Sequence, residues 1–153
     1  MIDPNQLSLV IPPLAAALLG ACLGLERTLA GKHAGMRTYA LVSLGSAAFT
    51  EISVLASYQL SIFGGLNPLI IASSIVVGIG FIGAGLSAVN TSVGRGELTT
   101  ASGIWVAAAV GMACGFGLYL LAGIIALIAV IILSLLLPME NAVRRWHGTV
   151  SEQ

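Results

Sequence analysis

The chain has 153 residues, of which 58% are hydrophobic and 8% are charged, and its formal net charge at pH 7 is zero. Soluble domains carry about 25% charged residues, so this composition excludes an ordinary soluble protein and indicates an integral membrane protein. We expect the lipid bilayer to be its environment and expect no nucleic-acid partner.

Apolar runs near the length of about 20 residues that spans the hydrocarbon predict the fold class. We expect an all-α integral membrane protein, a bundle of five transmembrane helices, with spans at 8–27, 38–57, 68–89, 98–115 and 118–137. The predicted domains are a five-helix transmembrane domain over 1–138 and a short cytoplasmic tail over 139–153.

The basic residues predict the orientation, because loops rich in Lys and Arg stay in the cytoplasm. All six fall on one side of the predicted bundle: Arg27, Lys32, Arg37, Arg95, Arg144 and Arg145. The N-terminus is therefore expected outside and the C-terminus in the cytoplasm.

The first span is predicted to begin at Pro12 and Pro13, because proline is tolerated only in a first helical turn. It should end near Gly31, which carries Glu26 and Arg27 into the last turn. Its glycines form a GxxxG pair, a spacing typical of close helix contacts: Gly20 and Gly24.

Glu51 is the one acid well inside a predicted span, and intramembrane acids are functional candidates by default. Ser73 and Ser74 of the third span are expected at a similar depth. Alternatively, Glu51 reaches the outer headgroups or is held protonated by a hydroxyl. At the other end of the second span, Tyr39 fits an inner aromatic belt.

The third span contains four glycines within eight residues: Gly78, Gly80, Gly83 and Gly85. In lipid such a segment must stay hydrogen-bonded, and its glycines let another helix approach closely. We expect a central, tightly packed helix. The alternative is a segment that unwinds between 83 and 96 and exposes its backbone to a ligand.

The fourth span has a second GxxxG pair, Gly111 and Gly115, and the fifth is predicted to end at Pro138. Folding the five spans back on one another brings polar residues to one depth at the cytoplasmic mouth: Glu26, Arg27, Arg37, Thr38, Arg95, Thr99 and Thr100. This cluster could hold an anion, a lipid headgroup or a partner protein. The alternative is a charge belt that only fixes the topology.

Catalytic and nucleotide-binding motifs are absent from the sequence, so we expect no enzyme, no catalytic residues and no cofactor. His33 has no second His, Cys or carboxylate at ligand spacing, so no metal site is expected either.

Four motifs in serial order resemble the MgtC/SapB family. They are Gly24-Leu25-Glu26-Arg27; Ala34 to Val42; Gly78 to Gly85, read Gly-Ile-Gly-Phe-Ile-Gly-Ala-Gly; and Arg95-Gly96 with Leu98 to Ala101, followed by Trp105 and Ala107 to Gly111. The resemblance extends from Leu14 to Pro138. It implies a multi-pass protein of the bacterial inner membrane, in a short form without the ACT-like domain that many relatives carry.

The resemblance implies a function linked to low magnesium, host stress and virulence. It suggests a non-enzymatic protein that modulates a membrane partner, ATP synthase or a transport system, rather than a magnesium-transporting ATPase. The alternative is an oligomeric transporter or channel for a small ion or solute, related to Mg²⁺, with a path along Glu51, Ser73 and Ser74. Under either function a homo-oligomer, a dimer, is expected, with its interface left open by the sequence.

Overall fold

The computed structural model of the chain describes residues 8–60, 67–89 and 96–150. Within these ranges every regular element is an α-helix: α1 (Ile11–Leu29), α2 (Met36–Gln59), α3 (Leu69–Val89), α4 (Gly96–Gly115) and α5 (Tyr119–Val150). Four of them, α2 to α5, have the length and apolarity to cross a membrane. The prediction of an all-α membrane protein of five helices is confirmed.

Helix α1 differs from the other four because it lies outside the set of helices apolar enough to count as candidate spans. Two prolines occupy its first turn, and Glu26 and Arg27 lie in its last turns. Its 19 residues rise about 28 Å, close to the thickness of about 30 Å of a hydrocarbon core.

The end of α1 follows the pattern that the sequence predicts at Gly31. This glycine adopts a positive φ of 65°, its N–H donates to the carbonyl of Thr28, and the N–H of Lys32 donates to the carbonyl of Arg27. The pairing is a Schellman motif, which satisfies the last carbonyls of a helix. Residues 30–35 then turn the chain back, so that α2 lies against α1.

Helix α2 lies between α1 and α4, and glycines make both contacts close. A Cβ at Gly24 of α1 would lie 2.5 Å from the Cα of Met36, and one at Gly20 would lie 2.6 Å from the carbonyl oxygen of Tyr39. On the other side, Gly111 of α4 lies directly against the carbonyl of Ser43. No side chain larger than hydrogen fits at these three positions.

The expectation of a central, tightly packed helix at 77–89 is wrong. Only 6% of the span Leu69–Leu86 in α3 is buried, against 56% of the span Leu98–Gly115 in α4. A Cβ built at Gly78, Gly80 or Gly85 meets no described atom within 4 Å. The central helices are α2 and α4, because their small residues face one another, whereas α3 contacts α4 along one side only.

Helix α5 corrects a second expectation, because Pro138 lies inside it and the helix continues to Val150. Proline removes one N–H from the helical ladder. Eight of the twelve residues that follow it are neither glycine nor β-branched, and they propagate the helix past the lost bond. Before α5, Gly117 closes α4 with a positive φ of 75°, so α4 and α5 are joined by a tight turn.

Candidate functional site

Polar residues gather at the end of the bundle where α1 ends and α2 and α4 begin, which we call the Arg27 end. Arg27 is 2% exposed and makes two hydrogen bonds to the neighbouring carboxylate. Its Nε donates to Oε2 of Glu26 at 2.5 Å, and its Nη2 donates to Oε1 at 2.9 Å. A buried guanidinium is tolerated only when it is paired, and the carboxylate of Glu26 neutralises the buried charge of Arg27.

Tyr39 links this end of α2 to α4. Its side chain is fully buried, and its hydroxyl donates to the backbone carbonyl of Thr100 at 3.1 Å. The ring lies directly against Gly103, where a Cβ would collide with the hydroxyl oxygen. The assignment of Tyr39 to an aromatic belt is therefore wrong, because its ring is enclosed between helices.

A second group of polar residues at the Arg27 end lines an open pocket of about 700 Å³, which we call the basic pocket. Three of its lining residues are basic: Lys32, His33 and Arg37. Thr28 and Thr38 complete the polar wall, and none of the described residues that line it is acidic. Sequence reasoning left Lys32 out of the site, although its place five residues before Arg37 in a short loop was a usable signal.

The cluster that the sequence predicts is thus divided among several environments. Glu26 and Arg27 form the buried pair, Arg37 and Thr38 line the basic pocket, and Thr100 is buried under Tyr39. Thr99 points elsewhere and lines a small cavity of about 160 Å³ with Leu23 and Leu133. Arg95 lies outside the described residues.

An apolar groove of about 560 Å³ runs between α2 and α3, beside the basic pocket. We call it the apolar groove. Its polar lining residues are Ser46 and Ser74, and its other lining residues are glycine or hydrophobic: Leu41, Val42, Gly45, Phe49, Ile71, Ile75, Gly78, Ile79 and Ile82.

Glu51 is half-buried on α2 and does not line the apolar groove, whereas Ser74 does. Ser73 and Ser74 both donate to the carbonyl of Ile70 in their own helix, at 2.7 Å and 3.0 Å. Of the three residues on the predicted path, only Ser74 therefore lines the apolar groove.

The sequence analysis did not identify a row of small hydroxyl residues along the buried face of α2. Ser43, Ser46, Thr50 and Ser53 are buried at helical spacing. Thr50 donates to the carbonyl of Ser46 at 2.8 Å, and Ser53 donates to the carbonyl of Pro68 at 3.3 Å. Their spacing of three and four residues was visible in the sequence and marks the side of α2 that is buried against its neighbouring helices.

Among the described residues, no three His, Cys, Asp or Glu side chains lie close enough together to hold a metal ion. The Arg27 end combines a neutralised buried ion pair, a packed tyrosine and an open pocket lined by basic side chains.

Comparison of the sequence with known proteins identifies the family to which the chain is similar. The sequence model of the MgtC family matches residues 14–142. The putative magnesium transporter YhiD of Escherichia coli K12 is 42% identical over 112 residues, which are 72% of this chain and 52% of that protein. Protein MgtC of Brucella abortus is 40% identical over 124 residues, which are 81% of this chain and 49% of that protein.

A cyanobacterial relative, protein SrpB of Synechococcus elongatus, is 40% identical over 114 residues, which are 69% of this chain and 62% of that protein. The chain spans about half the length of the first two relatives. No solved structure matches it. The match to the family model covers most of α1, all of α2 to α4 and most of α5, including both the buried pair and the basic pocket, and the chain therefore belongs to the MgtC family.

Proposed function

We propose that this multi-pass membrane protein is a non-enzymatic modulator that binds another membrane protein through the outer face of α3. The observation that carries the proposal is that α3 leaves this face open. Val77 and Phe81 are 75% and 82% exposed, and a Cβ at Gly80 meets no described atom within 4 Å. Gly80 and Ala84 lie one turn apart on this face, a spacing that lets a second transmembrane helix approach closely.

The glycines of the other helices support the assignment to α3. Gly20, Gly24, Gly111 and Gly115 each lie within van der Waals distance of α2, so their faces are already used inside the chain. The outer face of α3, in contrast, stays open to a helix from outside. The expected homodimer would use the same face for the same reason.

The family resemblance suggests the class of partner and the setting. We propose a location in the bacterial inner membrane and a partner such as ATP synthase or a transport system, engaged in adaptation to low magnesium or host stress. The relatives named MgtC and magnesium transporter are consistent with a role in magnesium homeostasis.

The test is crosslinking in membranes followed by purification of the tagged full chain and identification of what comes with it. We expect wild type to recover a specific membrane protein and Gly80→Leu to lose it. Gly123→Leu on α5 is the matched control, because Gly123 also has open space around its Cβ. Recovery of the partner by Gly80→Leu, or purification of the chain with only its own copies, would contradict the proposal.

A transporter is the second candidate, favoured by the name of the E. coli relative, a putative magnesium transporter. It requires a homo-oligomer, because five helices are few to enclose a pathway. Flux of Mg²⁺ into proteoliposomes that falls with Glu51→Gln and Arg37→Ala would support it. Flux that is unchanged in both variants would remove the path through those residues.

A further inference from the structure

We propose that the apolar groove and the basic pocket together form one binding site for an anionic phospholipid. The phosphate would lie in the basic pocket, and an acyl chain would lie in the groove between α2 and α3. This inference does not depend on the partner-binding function proposed above, because it uses the groove side of α3 rather than its outer face.

The lining of the apolar groove favours a hydrocarbon ligand. It lies between two helices that each qualify as membrane spans, and nine of its eleven lining residues are glycine or hydrophobic. Ser74, one of the two serines, already donates its hydroxyl to its own helix. Polar ligands would lose their hydrogen bonds to water there and find few in return.

The pocket specifies an anionic headgroup. Lys32 and Arg37 form no ion pair with any residue that the structure describes, in contrast to Arg27, which Glu26 neutralises. Helix α2 begins at Met36 within the same pocket. The N–H of Met36 donates to the hydroxyl of Thr28, and the positive end of the helix dipole adds partial positive charge to the pocket. Unneutralised Lys and Arg at a membrane boundary attract the phosphates of anionic lipids.

The apolar groove and the basic pocket are continuous, which favours a ligand that has both an acyl chain and an anionic group. Leu41, Val42 and Ile82 line the pocket and the groove alike. Leu41 lies one helical turn beyond Arg37, so the backbone positions of Arg37 and of this first groove residue are about 6 Å apart along the axis of α2. A free phosphate would fill only the pocket, and a neutral hydrocarbon would fill only the groove. A phospholipid fills both.

The experiment is native mass spectrometry of the full chain, purified in detergent and stripped of lipid, with three probes. These are dioleoylphosphatidylglycerol, dioleoylphosphatidylcholine and inorganic phosphate. We expect saturable binding of one phosphatidylglycerol per chain, weaker binding of phosphatidylcholine, and competition by phosphate only at far higher concentration. Phosphatidylcholine binding as tight as that of phosphatidylglycerol, or full displacement by equimolar phosphate, would overturn the proposal.

Variants on the two compartments provide the second arm. Lys32→Gln and Arg37→Gln should each weaken phosphatidylglycerol binding about fivefold, while Arg144→Gln, the same change of charge, serves as the control. Gly78→Leu and Gly45→Leu fill open space in the groove and should weaken binding of the lipid without changing that of phosphate. Gly123→Leu is their control.

Fold retention is checked by the elution volume of each variant in size-exclusion chromatography. The two groove variants lie on different helices, so that one can still be tested if the other does not fold. Wild-type phosphatidylglycerol affinity in both groove variants would overturn the assignment of the acyl chain. Wild-type affinity in both charge variants would overturn the assignment of the headgroup.

Discussion

The hydroxyl of Tyr39 donates a hydrogen bond to the backbone carbonyl of Thr100, 61 positions along the chain, and the ring lies against the bare Cα of Gly103. This contact holds the start of α2 to the first turns of α4. Its two halves can be separated by mutation, because one is a hydrogen bond and the other is steric.

Gly103→Ala should destabilise the protein by about 1–3 kcal/mol, the usual cost of overpacking a well-filled interior. Tyr39→Phe should cost about 0.5–1.5 kcal/mol, because it removes one intramolecular hydrogen bond. In the double variant the cost of the alanine should shrink, since the atom it meets first is the hydroxyl oxygen. The coupling is read from a double-mutant cycle of unfolding free energies in detergent, and strict additivity would contradict this geometry.

Loss of Glu26 should be among the most damaging single substitutions in the chain. Glu26→Gln leaves Arg27 charged and 2% exposed without its counter-ion, and breaking a buried pair costs about 3–5 kcal/mol. The double variant Glu26→Gln with Arg27→Met should recover much of that loss, because no buried charge remains. Thermal unfolding in detergent measures both, and a single variant as stable as wild type would show that water reaches Arg27.

Gly111→Ala and Gly78→Ala make the same chemical change in two helices and should have opposite outcomes. At Gly111 the new methyl group would lie on the carbonyl of Ser43, which is backbone and cannot turn aside. We expect a loss of about 1–3 kcal/mol or more. At Gly78 the methyl group meets no described atom, so stability should hold or rise by up to about 1 kcal/mol from helix propensity. Equal effects at the two positions would contradict the placement of α3.

Ser43→Ala and Thr50→Ala compare two buried hydroxyl residues on α2. The Ser43 hydroxyl has no hydrogen-bond partner among the described residues, so its removal should leave stability unchanged or raise it by about 1 kcal/mol. The Thr50 hydroxyl donates to Ser46, and Thr50→Ala also removes a methyl group from a buried position. We expect that variant to be less stable by at least about 1 kcal/mol. Chemical unfolding in mixed micelles gives both values.

Much of the fold follows from local signals in the sequence. Pro12, Pro13 and Gly31 predict the two ends of α1, because the first two lack a donor and the third tolerates a positive φ. Apolar length predicts five helices. Pro138 misleads, since a proline can be accommodated inside a helix when the residues after it propagate the helix on their own.

The arrangement of the helices was harder to predict, because glycine spacing has the same appearance at a buried contact and at an open face. Gly111 and Gly80 both have small residues four positions away, yet one touches α2 and the other touches no described residue. The sequence predicted which residues lie at the candidate site but not which of them contact one another. Charge position placed Arg27 and Arg37 at one end, but whether each is neutralised depends on side-chain geometry that no spacing rule contains.

The close contacts of α2 involve its backbone oxygens more than its side chains. The carbonyl oxygens of Tyr39, Ser43 and Ala47 are the atoms nearest to Gly20, Gly111 and Gly115, and a carbonyl is present whatever residue carries it. The contact therefore constrains the two partners unequally: Gly20, Gly111 and Gly115 can accept almost no replacement, while the lipid-facing side chains of α2 can change. Over evolutionary time α1 and α4 should keep their glycines as α2 changes its lipid-facing residues freely.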